Sequence, residues 1–298
     1  MADQFKLSPI HPKLDIQQSW WAMSGVGTDG REWSLEEKFE KLAEAGFTGI
    51  HAAIPPEQEQ EKWRRLLDYY DFSFGTGGFP GSVKELEEDA DKAVAFGATY
   101  ISSQVRDSLV IGDEAVSLLR DMNKAAADIG IAHFVETHRG RITQDLLRTS
   151  GYVDALPELR LTIDFSHYVL AGEMDGFLPD YEFKAQMHLN KLLSRTSCIH
   201  GRISNGQQIQ IDSEYNEEDP LVQLFASWWR QGMVYWLSSA DPYASLPFVC
   251  ELGPTPYGIG TPNNHGPRQD DATSRWNQSL KLMKLAKYQW KKAIANQI

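Results

Sequence analysis

The sequence predicts an α/β protein, a single (β/α)8 TIM barrel spanning residues 1–298. Three observations predict it. Short apolar or β-branched runs alternate with longer amphipathic stretches, glycines that end the helical patterns stand just before the next run, and no Ser/Gly linker or low-complexity tract divides the chain. Strands alternating with helices imply parallel pairing through right-handed crossovers. Eight such units point to a closed barrel rather than an open doubly wound sheet, and such barrels run to about 250 residues as one unit.

The predicted strands, in order, are IQQSWWA from Ile16, FTGIHAA from Phe47, FSFGT from Phe72, TYISSQ from Thr99, IAHFVET from Ile131, LRLTIDF from Leu159, SCIHGRI from Ser197 and PFVCEL from Pro247. Between the first two lies LEEKFEKLAEA, with Ser34 as N-cap, Glu37 completing a capping box and Gly46 as the stop. The same grammar recurs from Ser82 to Gly97 and from Gly112 to Gly130. Further helical patterns are PEQEQEKWRRLLDYY, FKAQMHLNKLLS, PLVQLFASWWRQ and the final SRWNQSLKLMKLAKYQWKKAI. Trp228, Trp229 and Trp236 lie at near-helical spacing and are assigned to the core. The stretch from Leu252 to Asp271 is too rich in Gly and Pro for a helix, and it follows the eighth strand, so it is expected over the mouth of the barrel.

Lys and Arg number 29 against 41 Asp and Glu, a net charge of −12, so there is no basic stripe to gather phosphates and a nucleic-acid partner is not expected. No window approaches the roughly 20 apolar residues of a membrane span, and the N-terminus lacks a basic flank followed by an apolar stretch. Cys198 and Cys250 are too few for a disulfide scaffold and sit inside apolar runs, which suits a cytoplasmic, reducing compartment. A homo-oligomer is compatible with this composition.

In a barrel of this kind the C-terminal ends of the strands build the site. The fifth strand ends in Glu136-Thr137-His138-Arg139, the sixth in Asp164-Phe165-Ser166-His167, the seventh in His200-Gly201-Arg202 and the eighth in Glu251. Taken singly, each acid is better explained as a loop cap or surface residue. Four consecutive strands that place Glu, Asp, His and Glu after apolar runs need a cation to neutralise them. Three carboxylates and one imidazole favour one divalent metal, Mn, Mg, Co or Zn, over sulfur-preferring ions.

The motifs VETHRG, TIDFSHY, CIHGR and FVCELG, in this order and spacing, resemble the xylose-isomerase-like TIM barrels, which include sugar isomerases and epimerases, hydroxypyruvate isomerase, inosose dehydratase and endonuclease IV. The resemblance covers essentially the whole chain. It implies Glu136, Asp164, His200 and Glu251 as metal ligands, Glu136 and Glu251 as the acid/base pair, and His167 as a contact to a substrate oxygen. The implied substrate is a small carbohydrate. Arg202 would hold a hydroxyl or carboxylate, although in several ketose epimerases the corresponding arginine comes later. His51 and Gln104, ending the second and fourth strands, have two readings, substrate contact or core. His138 and Arg139 either face the mouth or cap the next helix. Trp20 and Trp21 cannot both face inward from one strand, and Trp20 is assigned as the apolar wall against the sugar.

The implied reaction is isomerisation or epimerisation of a sugar or polyhydroxy ketone through an enediolate. Elimination from the same intermediate, as in a lyase or dehydratase acting on a keto-sugar or keto-glycoside, is the alternative. A non-catalytic accessory barrel would show a lost ligand, and none of the four is missing. No lysine stands at a strand end for Schiff-base chemistry. Phosphodiester cleavage at a trinuclear site would need further histidines, where the chain offers Gln104 and, without a neighbouring histidine, Asp212 and Glu214.

Overall fold

The computed structural model describes residues 11–174, 180–211, 218–258 and 269–295. Eight parallel strands close a barrel in chain order: β1 Lys13–Ser19, β2 Gly49–His51, β3 Ser73–Gly78, β4 Tyr100–Ser103, β5 Ala132–Glu136, β6 Leu161–Ile163, β7 Thr196–Gly201 and β8 Ser245–Cys250. β1 closes the ring, pairing with β8 through Gln17 and Val249 and with β2 through Gln17 and Gly49. The connecting helices are α1 Leu35–Ala45, α2 Glu57–Tyr70, α3 Val83–Phe96, α4 Gly112–Ile129, α5 Leu146–Ala155, α6 Ser166–Ala171, α7 Tyr181–Leu193, α8 Pro220–Leu237 and α9 Gln269–Ala295.

The helix boundaries follow local chemistry. Ser34 and Glu37 form the reciprocal capping box, and Gly46, Gly97 and Gly130 end α1, α3 and α4 in the left-handed conformation that glycine adopts without steric cost. Trp228 and Trp229 are buried on α8, and half-buried Trp236 packs against Trp290 of α9. Among the described residues no helix is long and apolar enough to cross a membrane. Cys198 and Cys250 are buried free thiols.

Alternation along the strands sets up the site. Side chains two residues apart share a face, so Phe134 leads to Glu136, Thr162 to Asp164, Cys198 to His200 to Arg202, and Val249 to Glu251. Tyr100, Cys198 and Val249 form a small buried cluster with Phe134, separate from the main core. A Cβ at Gly75 would lie 2.3 Å from the Tyr100 ring, so glycine on β3 makes room for that ring.

The structure departs from the sequence expectations in several places. β1 ends at Ser19, and Trp20 has helical backbone (φ −66°, ψ −31°) leading into a 3-10 turn over Trp21–Met23. The chain turns because the Trp20 amide bonds to the His51 carbonyl, and the buried Arg275 of α9 donates to the carbonyls of Ala22 and Ser24. The two tryptophans are thus not bound by strand alternation. A short antiparallel ribbon, Gly27–Thr28 with Arg31–Glu32, precedes α1. Helices α5 and α6 are not among the predicted helices: α5 carries an Asp145 N-cap that accepts from the Arg148 amide, but Thr, Ser and Gly interrupt its apolar pattern, and SHYVLA spans only six residues. Helix α9 begins at Gln269, inside the stretch expected to be a loop, while residues 259–268 of that stretch lie outside the described residues.

Gly201 sits between His200 and Arg202, and a Cβ there would lie 2.6 Å from the Phe248 ring. We expect Gly201→Ala to destabilise the protein by about 1–3 kcal/mol through overpacking, read as a lower urea midpoint. An unchanged midpoint would show that β7 and β8 can separate at no cost.

Candidate metal centre

Glu136, the last residue of β5, is buried, and its carbonyl accepts from Thr143 Oγ1 at 2.6 Å, which ties the following loop back to the strand. Thr137 Oγ1 donates to the Asp164 carbonyl at 3.0 Å and accepts from the Asp164 amide at 2.8 Å, stitching the ends of β5 and β6 together. The Ser166 amide and hydroxyl both donate to Asp164 Oδ1, at 3.0 and 2.5 Å. Asp164 Oδ2 is left buried without a hydrogen-bond partner.

His200 and Glu251 complete the group. One ligand atom each from Glu136, Asp164, His200 and Glu251 falls within 4.8 Å of all the others. His200 Nδ1 lies 2.9 Å from Glu251 Oε2 and 3.8 Å from Glu136 Oε2, yet neither imidazole nitrogen makes a hydrogen bond of good geometry. Arg202 is fully buried and places NH2 2.5 Å from Glu251 Oε2 and Nε 3.3 Å from Asp164 Oδ2.

The electrostatics follow from crowding. Burial pushes the Glu136 carboxyl up to about 8; His200 pulls it down, while Glu251 and Asp164 repel its negative charge. Burial likewise raises Asp164. Burial would raise Glu251 too, but His200 and Arg202 outweigh it and hold this carboxyl well below the usual carboxylate range. His200 is held well above its ordinary value, against burial, by Glu251 and Glu136. Extra protons on Glu136 and His200 relieve the crowding here; with the carboxylates ionised and His200 neutral, as metal ligands are, one guanidinium would leave excess negative charge, and Asp164 Oδ2 and both His200 nitrogens lack hydrogen-bond partners. Oxygen and imidazole donors converging on one point suit a divalent cation.

The group opens into a cavity of about 570 Å³ at the C-terminal mouth. His51, whose imidazole burial pushes down to about 3, lines it, as do His138, Arg202, Trp20, Trp21 and Tyr257. Trp20 also packs edge-on against Trp63 at 4.6 Å and beside Phe39, so most of its ring serves the core. Trp21 is the more exposed wall, edge-on to Tyr257 at 4.9 Å. His167 is fully buried behind Asp164, with Nε2 3.6 Å from Asp164 Oδ2, its ring 3.7 Å from that of His138, and Nδ1 2.6 Å from Arg139 NH1. Its contacts are to other residues of the mouth. His138 faces the cavity, and its Nδ1 donates to the Arg139 carbonyl at 2.5 Å.

Two residues carry more than the sequence suggested. Gln104 Nε2 reaches both oxygens of Glu136, at 3.2 and 3.4 Å, which makes it a partner of that carboxylate. Tyr257, in the loop after β8, lies under two guanidinium groups, with Arg202 4.7 Å and Arg139 5.1 Å from its ring, and its hydroxyl is 3.3 Å from His138 Nε2. An aromatic in a Gly/Pro-rich stretch after the last strand was the only signal for it. Asp212 and Glu214 lie outside the described residues.

No family model matches the sequence, and no curated protein matches it. Solved structures do share the fold. L-ribulose 3-epimerase aligns with a TM-score of 0.56 at 11% identity, covering 95% of this chain and 96% of its own. The probable 3-DHS dehydratase AsbF of Bacillus anthracis, involved in petrobactin synthesis, aligns with a TM-score of 0.54 at 13% identity over 91% of this chain and 99% of its own. A xylose isomerase-like TIM barrel protein from Mycobacterium smegmatis, in complex with magnesium, gives 0.54 at 13% identity over 92% and 97%. Identities this low speak to architecture alone, and the shared architecture is the (β/α)8 barrel.

Proposed function

We propose that the protein is a divalent-metal-dependent isomerase or epimerase of a sugar or polyhydroxy ketone, acting through an enediolate. The observation that carries this reading is the convergence of Glu136, Asp164, His200 and Glu251 beneath a cavity sized for a small molecule. A bound divalent cation would polarise a substrate carbonyl and offset the negative charge that develops on proton removal.

The chain's own residues supply the rest. Gln104 fixes the plane of Glu136, and Arg202 with His200 keeps Glu251 ionised, so two carboxyl groups with opposed proton affinities face one cavity. Such a pair suits proton removal by one group and delivery by the other. Trp21 and Tyr257 wall the cavity with aromatic surface that excludes water and fits the apolar face of a sugar ring. Arg202 lines the cavity and keeps one guanidinium nitrogen without a hydrogen-bond partner, which suits it to hold a substrate oxygen after a small shift of the side chain.

Elimination from the same enediolate, as in a lyase or dehydratase acting on a keto-sugar or keto-glycoside, is the second reading. Its support is that a dehydratase stands among the proteins sharing the fold. Buried reduced thiols at Cys198 and Cys250 support a cytoplasmic setting.

His200 is the only nitrogen donor of the four, so His200→Ala should lower affinity for Mn, Co or Zn more than for Mg, which accepts water in its place. Calorimetric titration of both proteins decides this; unchanged transition-metal affinity would remove His200 from the ligand set.

Glu136→Gln and Glu251→Gln should each keep part of the metal affinity, because an amide oxygen still coordinates, and lose turnover by about 100-fold to 10,000-fold. Deuterium uptake from D2O across a panel of ketoses, inososes and oxidised glycosides supplies the assay. For an epimerase both variants lose net reaction, and the one that still exchanges substrate hydrogen contains the base. A single-base isomerase gives one severe and one milder loss. Near-native turnover by both variants would discard the proton-transfer mechanism.

A further inference from the structure

Beneath the candidate metal centre runs a line of polar residues that the proposed chemistry does not use. Asp15 and Gln17 lie on one face of β1, Tyr100 on β4 and His51 at the end of β2, and all four are buried. Asp15 also borders a polar opening at the other end of the barrel, beside Thr48 and Ser73. The line therefore spans the barrel from that opening to the mouth.

The direction of every hydrogen bond along it can be worked out. Asp15 accepts from Thr48 Oγ1 at 2.7 Å, from Ser73 Oγ at 2.6 Å and from Gln17 Nε2 at 2.9 Å. Ser73 spends its one hydroxyl hydrogen on Asp15, so the 3.0 Å contact between Gln17 Nε2 and Ser73 Oγ uses the second amide hydrogen of Gln17. Both amide hydrogens now face Asp15 and Ser73, and turning the amide over would press its oxygen against the carboxylate. The Gln17 oxygen, which can only accept, is left toward Tyr100 and takes the phenol hydrogen at 2.8 Å. Tyr100 has no second hydrogen to give. Its 3.1 Å contact with His51 Nδ1 is then a bond donated by the histidine.

The other ring nitrogen faces the cavity. His51 lines it with Gly77, and a Cβ added at Gly77 would come within 3.3 Å of His51 Nε2, so glycine at that position leaves the nitrogen open. The Tyr100 ring stacks on His51 at 5.8 Å and on Phe134 at 5.3 Å, which fixes the plane of the relay.

We infer that Asp15, Gln17 and Tyr100 are positioning residues that hold His51 as the Nδ1–H tautomer, so that Nε2 presents a hydrogen-bond acceptor to a ligand hydroxyl in the cavity. The tautomer rests on the interior hydrogen bonds alone; only the ligand hydroxyl rests on the polyhydroxy substrate proposed above. An acceptor at this point would select a carbon bearing a free hydroxyl and discriminate against its deoxy counterpart, because the buried lone pair would otherwise go unmatched.

Histidine-selective 15N labelling of the full chain, read by two-bond 1H–15N correlation spectra, tests this directly, because the two neutral tautomers and the imidazolium give different patterns. His51 is assigned by the signals lost in His51→Gln. The expected result is Nδ1–H at neutral pH, both metal-free and after Mn-free loading with Mg. In Tyr100→Phe, which keeps the ring and removes the acceptor, the Nε2–H form should rise from undetected to a major fraction. Gln17→Met approaches from the other end: it frees the phenol hydrogen to turn toward His51, and the same mixing is expected. An Nε2–H or doubly protonated His51 in the native protein would overturn the inference, as would folded Tyr100→Phe and Gln17→Met proteins whose His51 stays Nδ1–H. Where neither variant folds, the native spectrum alone decides. A native Nδ1–H signal in a protein that exchanges no substrate hydrogen would leave the relay standing and sink the isomerase reading.

Discussion

Three carboxyl groups buried within a few ångströms of one another cannot all be ionised on hydrogen bonds alone, and the upper half of this barrel is organised around that constraint. Arg202 answers part of it by lying against both Asp164 and Glu251. Ser166 takes one oxygen of Asp164 and leaves the other to the Arg202 charge without a hydrogen bond, and Gln104 reaches across to Glu136. A cation that displaces the protons from Glu136 and His200 would meet three converging carboxylates in a buried setting, where electrostatic attraction is strongest. The same crowding separates the proton affinities of Glu136 and Glu251, which share a cavity yet differ in which charged neighbours they face.

Much of this was legible in the sequence because period-two alternation is rigid. Once the strands are placed, Glu136, Asp164, His200, Arg202 and Glu251 have to share the inner face near the strand ends, and they do. The starts of α1 and α3 and the stops of α1, α3 and α4 were equally readable, since Ser caps and left-handed glycines act through their nearest neighbours.

Where the sequence fell short, the decisive interactions were distant ones. Trp20 and Trp21 look like a continuation of β1 until Arg275, on the last helix, draws the chain into a turn through the carbonyls of Ala22 and Ser24. Gln104 and Tyr257 gain their roles from partners on other strands and loops, and no local pattern marks them. The relay from Asp15 to His51 is of the same kind, built from four residues on three strands.

The closure of the ring by β1 against β8 has a bearing on how the chain is made. During synthesis β1 emerges with one partner, β2, and its other edge stays unpaired until β8 at Ser245–Cys250 has been made. An unpaired edge is a template for wrong partners. Polar side chains on that strand, Asp15, Gln17 and Gln18, make it a poor apolar seed for aggregation, and Gln17 and Gln18 pair with β8 only when the ring shuts. Asp15 and Gln17, which line the lumen in the finished molecule, and Gln18, which turns outward to Ser279 of α9, thus also guard the nascent one.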